Sequence, residues 1–592
     1  MIKPLLRDWC GALLHYQIHG TGDARLDGGI LCPACMRVHG RSGDAVLPLV
    51  AMWAETGEER WLTAAEKLFA WSENMVRPDG SYNNDTNSSW NGITVFAAIA
   101  LGETLLHYGG RLPEADRTAW TARFETSAQY LLWNIEAIGG NINYPVTCAY
   151  AMALAARLLP DGAAYSSKAK QLAGYACDHF TNDGLLYGEG HPCEAVTPKG
   201  CRPVDIGYNV EESLPALAQY AALAGDEETM QRLLPTARAH LCFMLPDGGW
   251  DNSFGSRSYK WSYWGSRTSD GCAAGFAVLS KRDPVFAEAA RRNLTLLRRC
   301  TKDGLLYGGP MFVEAGEPAC IHHTICHAKA AAVLLAEDVE FPDTGTRLPA
   351  DTADGVCLWP TIRTQKLIRY GWHATVTDCD YQYLTGGHPT GGALSLLWNR
   401  AWGPVLAGSM DTYCQNEPNN MQMPRYQCDI CTTPRLEVRR GGIPFSSSND
   451  MSAWVQSGEN GADLWTEACG QLRNGRQDFA GGFRLRYTVT KISFVLEAAS
   501  ETENARLHLP VISAEGEAVD GLGTETVSIH RGGLTLTIQA NRPLNIPPAY
   551  CTADGGLRRL FNPAGGFQFV PLIAEAGNLL RIQISVAQEG ES

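Results

Sequence analysis

GDAVLPLVAMWAETGEERWLTAAEKLFAWSENM, residues 43–75, decides the fold. Apolar residues recur at helical spacing on both sides of Thr56-Gly57, so the stretch reads as two helices folded back on each other around a glycine turn. The texture then repeats. ITVFAAIALGETLLHYG (93–109) and CAYAMALAARLL (148–159) are rich in small residues, which suits close helix packing. VEESLPALAQYAALAGD (210–226) is followed by Glu227 opening another helix, and FAEAARRNLTLLRRC (286–300) and HAKAAAVLLAE (327–337) complete the series. Between them lie turns that resemble one another: PDGSYNND (78–85), NDGLLYGEG (182–190), PDGGWDNS (246–253) and KDGLLYGGP (302–310) all carry Asp-Gly. A helical hairpin recurring with the same decorated turn is a repeat signature. Closing about six such hairpins into a ring predicts an (α/α)6-type toroid, with an open solenoid as the rival.

From about residue 341 the pattern changes. PDTGTRLPADTADG is a Pro/Gly/Asp-rich break. Beyond it HATVTDCDYQY, LRYTVTKISFVLEAA, TVSIHRGGLTLTIQA and LLRIQISVAQ alternate apolar and polar residues, the period of half-buried strands. The expected class is therefore multidomain, α then β. A toroid occupies 1–340, a linker 341–367, and an antiparallel β-sandwich 368–592, whose GGHPTGG loop is a candidate cover for the toroid cleft.

Bulk properties fit this division. A chain of 592 residues is too long for one core. A net charge of -14 argues against a general nucleic-acid or anionic-membrane surface. The N-terminus MIKPLLRDWCGALLHYQIHG lacks the plan of a signal peptide, and no window is long and apolar enough for a membrane span. The 19 cysteines, an odd number, read as reduced thiols, so a cytoplasmic location is expected. General symmetry grounds allow a homodimer.

Five segments carry candidate chemistry. GGWDNSFGSRSYKWSYWGSRTSDG (248–271) sets Asp251 and Asp270 beside Arg257, Lys260 and Arg267, with Trp261 and Trp264 among the aromatics. Aromatic rings cover the flat faces of sugars, and a positioned Arg grips a uronate carboxylate through paired hydrogen bonds. DGLLYGEGHPCEAVTPKGCRPVDIGYNVEESLPAL (183–217) places Tyr208, Glu211 and Glu212 at a helix start, with Glu189 and His191 upstream. SYNNDTNSSWNG and GGNINYP offer Trp90 and Asn143. CIHHTICHAK (320–329) holds His322 and His323, with His327 one turn beyond His323; the segment lacks the Glu of an H-E-x-x-H motif, so a substrate-facing histidine is preferred to a metal ligand. CPACMRVHGR (32–41) has a lone C-x-x-C with His39 nearby. A structural zinc site would need a fourth ligand, and in sequence Cys428-x-x-Cys431 could supply one only by chance of folding. No metal and no cofactor is expected; a Walker A, a G-x-G-x-x-G after a strand and a G-x-S-x-G are all missing.

A toroid followed by an antiparallel β-domain resembles the heparinase II/III-like and alginate-lyase-like proteins over nearly the whole chain. DGLLYGEG…GYNVEESL looks like the segment carrying their catalytic tyrosine, which would be Tyr208. GGNINY falls where they carry an Asn-His that neutralises the uronate; here Asn143-Tyr144 stands instead. The string CPACMRVHGR, WNGITVF, GNINYP, GYNVEESLP, WDNSFGSR, YWGSRTSDG and CIHHTICHAKA is also similar to the β-glucuronidases of glycoside hydrolase family 154, from which no catalytic residue can be carried over. Glycoside hydrolysis needs a pair of carboxyl groups, and the candidate loops hold many. The expectation is therefore a hydrolase releasing uronic acid from an oligosaccharide. Its acid and base are Glu211 and Asp251, assisted by Tyr208 and Glu212, and Arg257, Lys260 and Arg267 bind the uronate. The alternative is a lyase acting by β-elimination, with Tyr208 as base and Asn143 and Arg267 as neutralisers. A non-catalytic glycan-binding protein is the third reading.

Overall fold

A computed structural model describes residues 1–85, 88–138, 140–413, 432–553 and 555–588. Among these, twelve helices of at least eight residues build the first domain: α1 (Ile2–His15), α2 (Val46–Thr56), α3 (Glu59–Ser72), α4 (Thr94–Tyr108), α5 (Glu114–Ile138), α6 (Asn143–Leu158), α7 (Gly162–Asp178), α8 (Leu214–Ala224), α9 (Glu227–His240), α10 (Ala273–Ser280), α11 (Val285–Arg299) and α12 (Ile321–Ala336). The even-numbered helices pack in succession, and α12 returns to α2, so the inner ring is closed. The odd-numbered helices lie outside, α1 against α12. Closure excludes the open solenoid.

Sequence explains which helix goes where. The inner helices α4, α6 and α12 are buried on nearly every side, as a helix apolar all round must be. The outer helix α11 buries Phe286, Leu294 and Leu297 along one stripe and turns basic residues outward. Gly57, at φ 71, ends α2 in the left-handed conformation that lets α3 fold back.

Each Asp-Gly turn is the tip of a small hairpin that follows an outer helix. Val76 bridges Tyr82, Phe180 bridges Leu186, Met244 bridges Trp250, and Thr301–Lys302 pairs with Leu305–Leu306. The hairpin tip rests on the next outer helix. At Gly248 (φ 90) a Cβ would stand 2.4 Å from the Arg292 carbonyl, so the contact requires glycine. The matching offsets deliver the N-termini of the inner helices, and the loops before them, to one end of the ring.

The second domain stacks two antiparallel sheets. Gly355–Trp359, Thr364–Arg369, Trp372–Thr377, Ala393–Asn399 and Gly403–Ala407 form a meander. Thirteen strands between Arg435–Arg440 and Leu580–Gln588 form the larger sheet. Leu367, Val376 and Leu397 from the first meet Leu436, Leu485 and Ile582 from the second in a single core. Strand 355–359 and the first residues of strand 364–369 thus fall within the stretch read as linker, 341–367. Leu396, Trp398 and Phe567 of the sandwich join the helical core. Among the described residues no helix is long and apolar enough to cross a membrane.

Candidate active site

Tyr208 sits on one helical turn, Ile206–Tyr208, which continues as a π-turn over Asn209–Ser213 into α8. Such turns are frequent at functional sites, because the wider coil re-aims the side chains on it. One buried carboxylate fixes this element. Asp205 accepts from the Tyr208 backbone N–H at 3.0 Å, from Asn252 Nδ2, and from the Arg257 backbone N–H at 2.8 Å. Tyr208 and Arg257, 49 positions apart in the numbering, are thereby locked together. Sequence reading passed over Asp205; its place three residues before Tyr208, where a capping carboxylate reaches a helix N–H, was the available signal.

The Arg257 guanidinium lies 4.0 Å over the Tyr208 ring, and Lys260 Nζ donates to the phenol oxygen at 3.3 Å. The phenol also shares a short hydrogen bond with Thr268 Oγ1. Arg257 continues to Glu189 at 3.1 Å, and Glu189 accepts from the Asn143 backbone N–H at 3.1 Å. Asn143 Nδ2 in turn donates to Glu212. The result is one connected line, Tyr208–Arg257–Glu189–Asn143–Glu212, built from the starts of α6 and α8 and the hairpin loops between them.

Burial sets the charges on this line. It raises the Glu212 carboxyl to about 8, reinforced by the negative Asp270 nearby. Burial also raises Glu189 to about 7, although the Arg257 charge pulls the other way. Burial alone would raise Asp270 too, but Arg41 and Lys329 outweigh it and hold that carboxyl well below the usual range. The count of acids therefore overstates the negative charge. With its carboxyl at about 8, Glu212 is mostly uncharged near neutral pH, and Asp270 belongs with Asp44 to a charge-balanced cluster around Arg41 and Lys329.

The other sequence candidates fall into different surroundings. Glu211 is wholly buried under the Trp261–Ser266 hairpin, accepting from Ser266 N at 2.8 Å and lying 3.4 Å from His327 Nε2. Asp251 lies at the junction with the sandwich, accepting from Thr375 at 2.6 Å and Ser253 at 2.8 Å, with Lys366 at 3.9 Å. The two carboxyl groups expected as acid and base thus have different partners, Ser266 and His327 for Glu211 and Thr375, Ser253 and Lys366 for Asp251. Arg267 is buried and donates to the Pro563 carbonyl, so it anchors the sandwich to the toroid. Trp261 and Trp264 are also buried, their indole N–H groups donating to the Trp250 and Tyr307 carbonyls at 2.8 Å. They pack the hairpin.

Trp90 differs, at 42% exposed with its edge against Tyr144, the residue after Asn143. His322 has both ring nitrogens buried without a hydrogen-bond partner among the described residues, and burial keeps it neutral. His323 is likewise held neutral by burial, at about 3, against the Trp264 edge. His327 contacts Glu211 through Nε2 and the His323 carbonyl through Nδ1. The sandwich closes over this end: Tyr381 Oη accepts from His191 N at 3.0 Å, and the Gly387 carbonyl, in the GGHPTGG loop, accepts from Ser258 at 3.0 Å. Cys428 and Cys431 lie outside the described residues.

The model of the ulvan lyase N-terminal domain matches residues 6–352, and that of the ulvan lyase C-terminal domain matches 356–587. A broad-specificity ulvan lyase of Formosa agariphila is 35% identical over 588 residues, covering 97% of this chain and 91% of its own length. Among solved structures, the chondroitin AC lyase of Streptomyces coelicolor A3 superposes with a TM-score of 0.51 at 12% identity, covering 98% of this chain and 82% of its own. A heparinase III superposes with a TM-score of 0.50 at 10% identity, covering 99% and 84%. These two share the toroid-plus-sandwich fold. The full-length relationship to a lyase overturns the expected uronic-acid-releasing hydrolase, as it does the likeness to glycoside hydrolase family 154. Abundant carboxyl groups in the loops do not by themselves make an acid–base pair for hydrolysis: burial raises Glu212 to about 8 and Glu189 to about 7, and Asp270 is tied up by Arg41 and Lys329. Matched from end to end by its two domain models, the chain belongs to the ulvan lyase family.

Proposed function

We propose that this enzyme cleaves ulvan, the substrate in its relative's name, by β-elimination at a uronate residue. One observation carries the reading: a tyrosine phenol flanked by two cations is linked, through Arg257 and Glu189, to an amide and a protonated acid. Elimination needs the uronate carboxylate relieved of charge so that the C5 proton becomes acidic. It then needs a base for that proton and a proton for the departing glycosidic oxygen. The Asn143 amide and neutral Glu212 supply hydrogen-bond donors to a carboxylate without repelling it. Lys260 and Arg257 favour the phenolate form of Tyr208, which takes the C5 proton; the neutral phenol so formed then returns that proton to the departing glycosidic oxygen. Trp90 and Tyr144 offer aromatic faces to a neighbouring sugar. The product is a chain end with a C4–C5 double bond, whereas hydrolysis would leave a saturated uronic acid.

The test follows from that difference. Incubating the protein with ulvan should yield a rising ultraviolet absorbance from the conjugated double bond. Chondroitin sulfate and heparan sulfate serve as comparison substrates. New reducing ends without that absorbance would reject elimination, and no cleavage of ulvan would reject the substrate.

A further inference from the structure

Cys32, Cys35 and His39 follow one another in the loop between α1 and α2, and their sulfur and nitrogen atoms all lie within 4.8 Å of one another. In sequence this C-x-x-C lacks a fourth partner. The fold brings a candidate to Cys32 in Cys320, the residue just before α12, whose sulfur lies 3.8 Å from that of Cys32 although 288 positions separate them. We propose that Cys32, Cys35, His39 and Cys320 form a structural zinc site that clasps the two ends of the toroid.

Three observations support the assignment. The Cys32–Cys320 spacing equals the edge of a tetrahedron whose centre is about 2.3 Å from each sulfur, the usual zinc–thiolate length. The Cys35–His39 edge, at 2.7 Å, would open by under about 1 Å to admit the ion. His39 presents Nε2 to Cys35, while its Nδ1 lies 2.7 Å from the buried Asp85 carboxylate. That is the carboxylate–histidine–metal arrangement, in which the outer carboxylate fixes the tautomer and leaves Nε2 as the donor. Finally, the loop is a knuckle: Met36, at φ 54, donates to the Cys32 carbonyl at 2.9 Å, folding both cysteines toward one point. Three thiolates and one imidazole in a closed set select zinc over oxygen-preferring cations. Cys32, His39 and Cys320 are buried, and half-buried Cys35 marks the side from which the ion enters. Binding would release the thiol protons.

The clasp has a place in the architecture. It fastens the loop before the first inner helix to the start of the last one, where the ring closes. His39 also lies 6.1 Å, ring to ring, from His322, two residues beyond Cys320, so the ion would steady this wall of the cleft.

Elemental analysis of the full chain, purified without chelator, should find about one zinc per molecule. Cobalt exchanged into the site should give the thiolate charge-transfer and visible bands of a tetrahedral centre. Cys320→Ala and Cys32→Ala should lose the metal, whereas His39→Cys, which substitutes one zinc ligand for another, should keep it. Asp85→Asn should retain the fold but weaken zinc binding roughly 10- to 100-fold in a chelator competition. Wild-type protein free of zinc after growth in zinc-supplemented medium would overturn the proposal. So would a Cys32–Cys320 disulfide found by mass mapping, or undiminished zinc in Cys320→Ala.

Discussion

Replacing Glu212 by Gln separates the two chemistries most sharply. In the folded protein burial holds this carboxyl at about 8, against 4.5 in an exposed chain. Between those pH values the native state keeps a proton that the unfolded state has released. By linkage, stability then falls as pH rises, beginning near the unfolded value and ending near the folded one. The displacement corresponds to about 5 kcal/mol for a fully buried group, an upper bound that relaxation of the site reduces to a few. Gln keeps the oxygen that accepts from Asn143 Nδ2 and places an N–H where the acid proton stood. Glu212→Gln should therefore match the wild type in acid and exceed it by a few kcal/mol above about pH 8. Urea unfolding of both proteins from about pH 5 to about pH 9 measures the difference directly. Turnover follows the same logic. If the neutral acid serves only to relieve the uronate charge, the variant remains active at neutral pH and loses the alkaline fall-off near 8. A folded Glu212→Gln protein inactive at every pH would show that the carboxyl itself moves a proton. An unchanged stability profile would show that it is ionised in the native state. Either result refutes the reasoning.

Tyr208→Phe should lower turnover roughly 10²- to 10⁴-fold, the usual weight of a positioned base, while removal of its hydroxyl bond to Thr268 costs only about 1 kcal/mol of stability; paired kcat and unfolding measurements check this. Asp251→Ala should do the opposite: it strips the buried Lys366, Thr375 and Ser253 of their shared acceptor, costing about 3 kcal/mol, yet leaves turnover per folded molecule unchanged at permissive temperature. Gly248→Ala should cost about 1–3 kcal/mol, because alanine must adopt a left-handed conformation against the Arg292 carbonyl, and a normal melting temperature would remove the steric account of the Asp-Gly turns.

The fold was largely legible because its signals are local. Helical periodicity, the glycine at 57 and four matching Asp-Gly turns are each written within a few residues. Ring closure is different. It depends on α12 reaching α2, a contact no local pattern records, which is why an open solenoid remained a rival on sequence alone. The start of the sandwich was blurred for a related reason: the Pro- and Asp-rich texture of 341–354 continues into Gly355–Trp359, a strand only partly buried, whose alternation is weak.

The site was legible in residue type and obscure in state. Tyr208, Asn143, Arg257, Lys260 and Glu212 do converge, because each sits where a repeated turn delivers the start of an inner helix or the loop that follows an outer one. Trp261, Trp264 and Arg267 share the same dense segment, yet all three are buried, and nothing between 248 and 271 announces that Arg267 reaches a carbonyl at Pro563. Charge state is harder still to read. An acid in sequence carries one formal charge, but its charge in the protein depends on what lies within a few ångströms from distant parts of the chain. Asp270 is held ionised by Arg41 and Lys329, 229 and 59 positions away, and the negative charge so fixed helps to keep Glu212 protonated. Burial and the fixed anion at Asp270 together leave Glu212 a hydrogen-bond donor against the pull of Arg41, and in the proposed elimination that donor would face the uronate carboxylate.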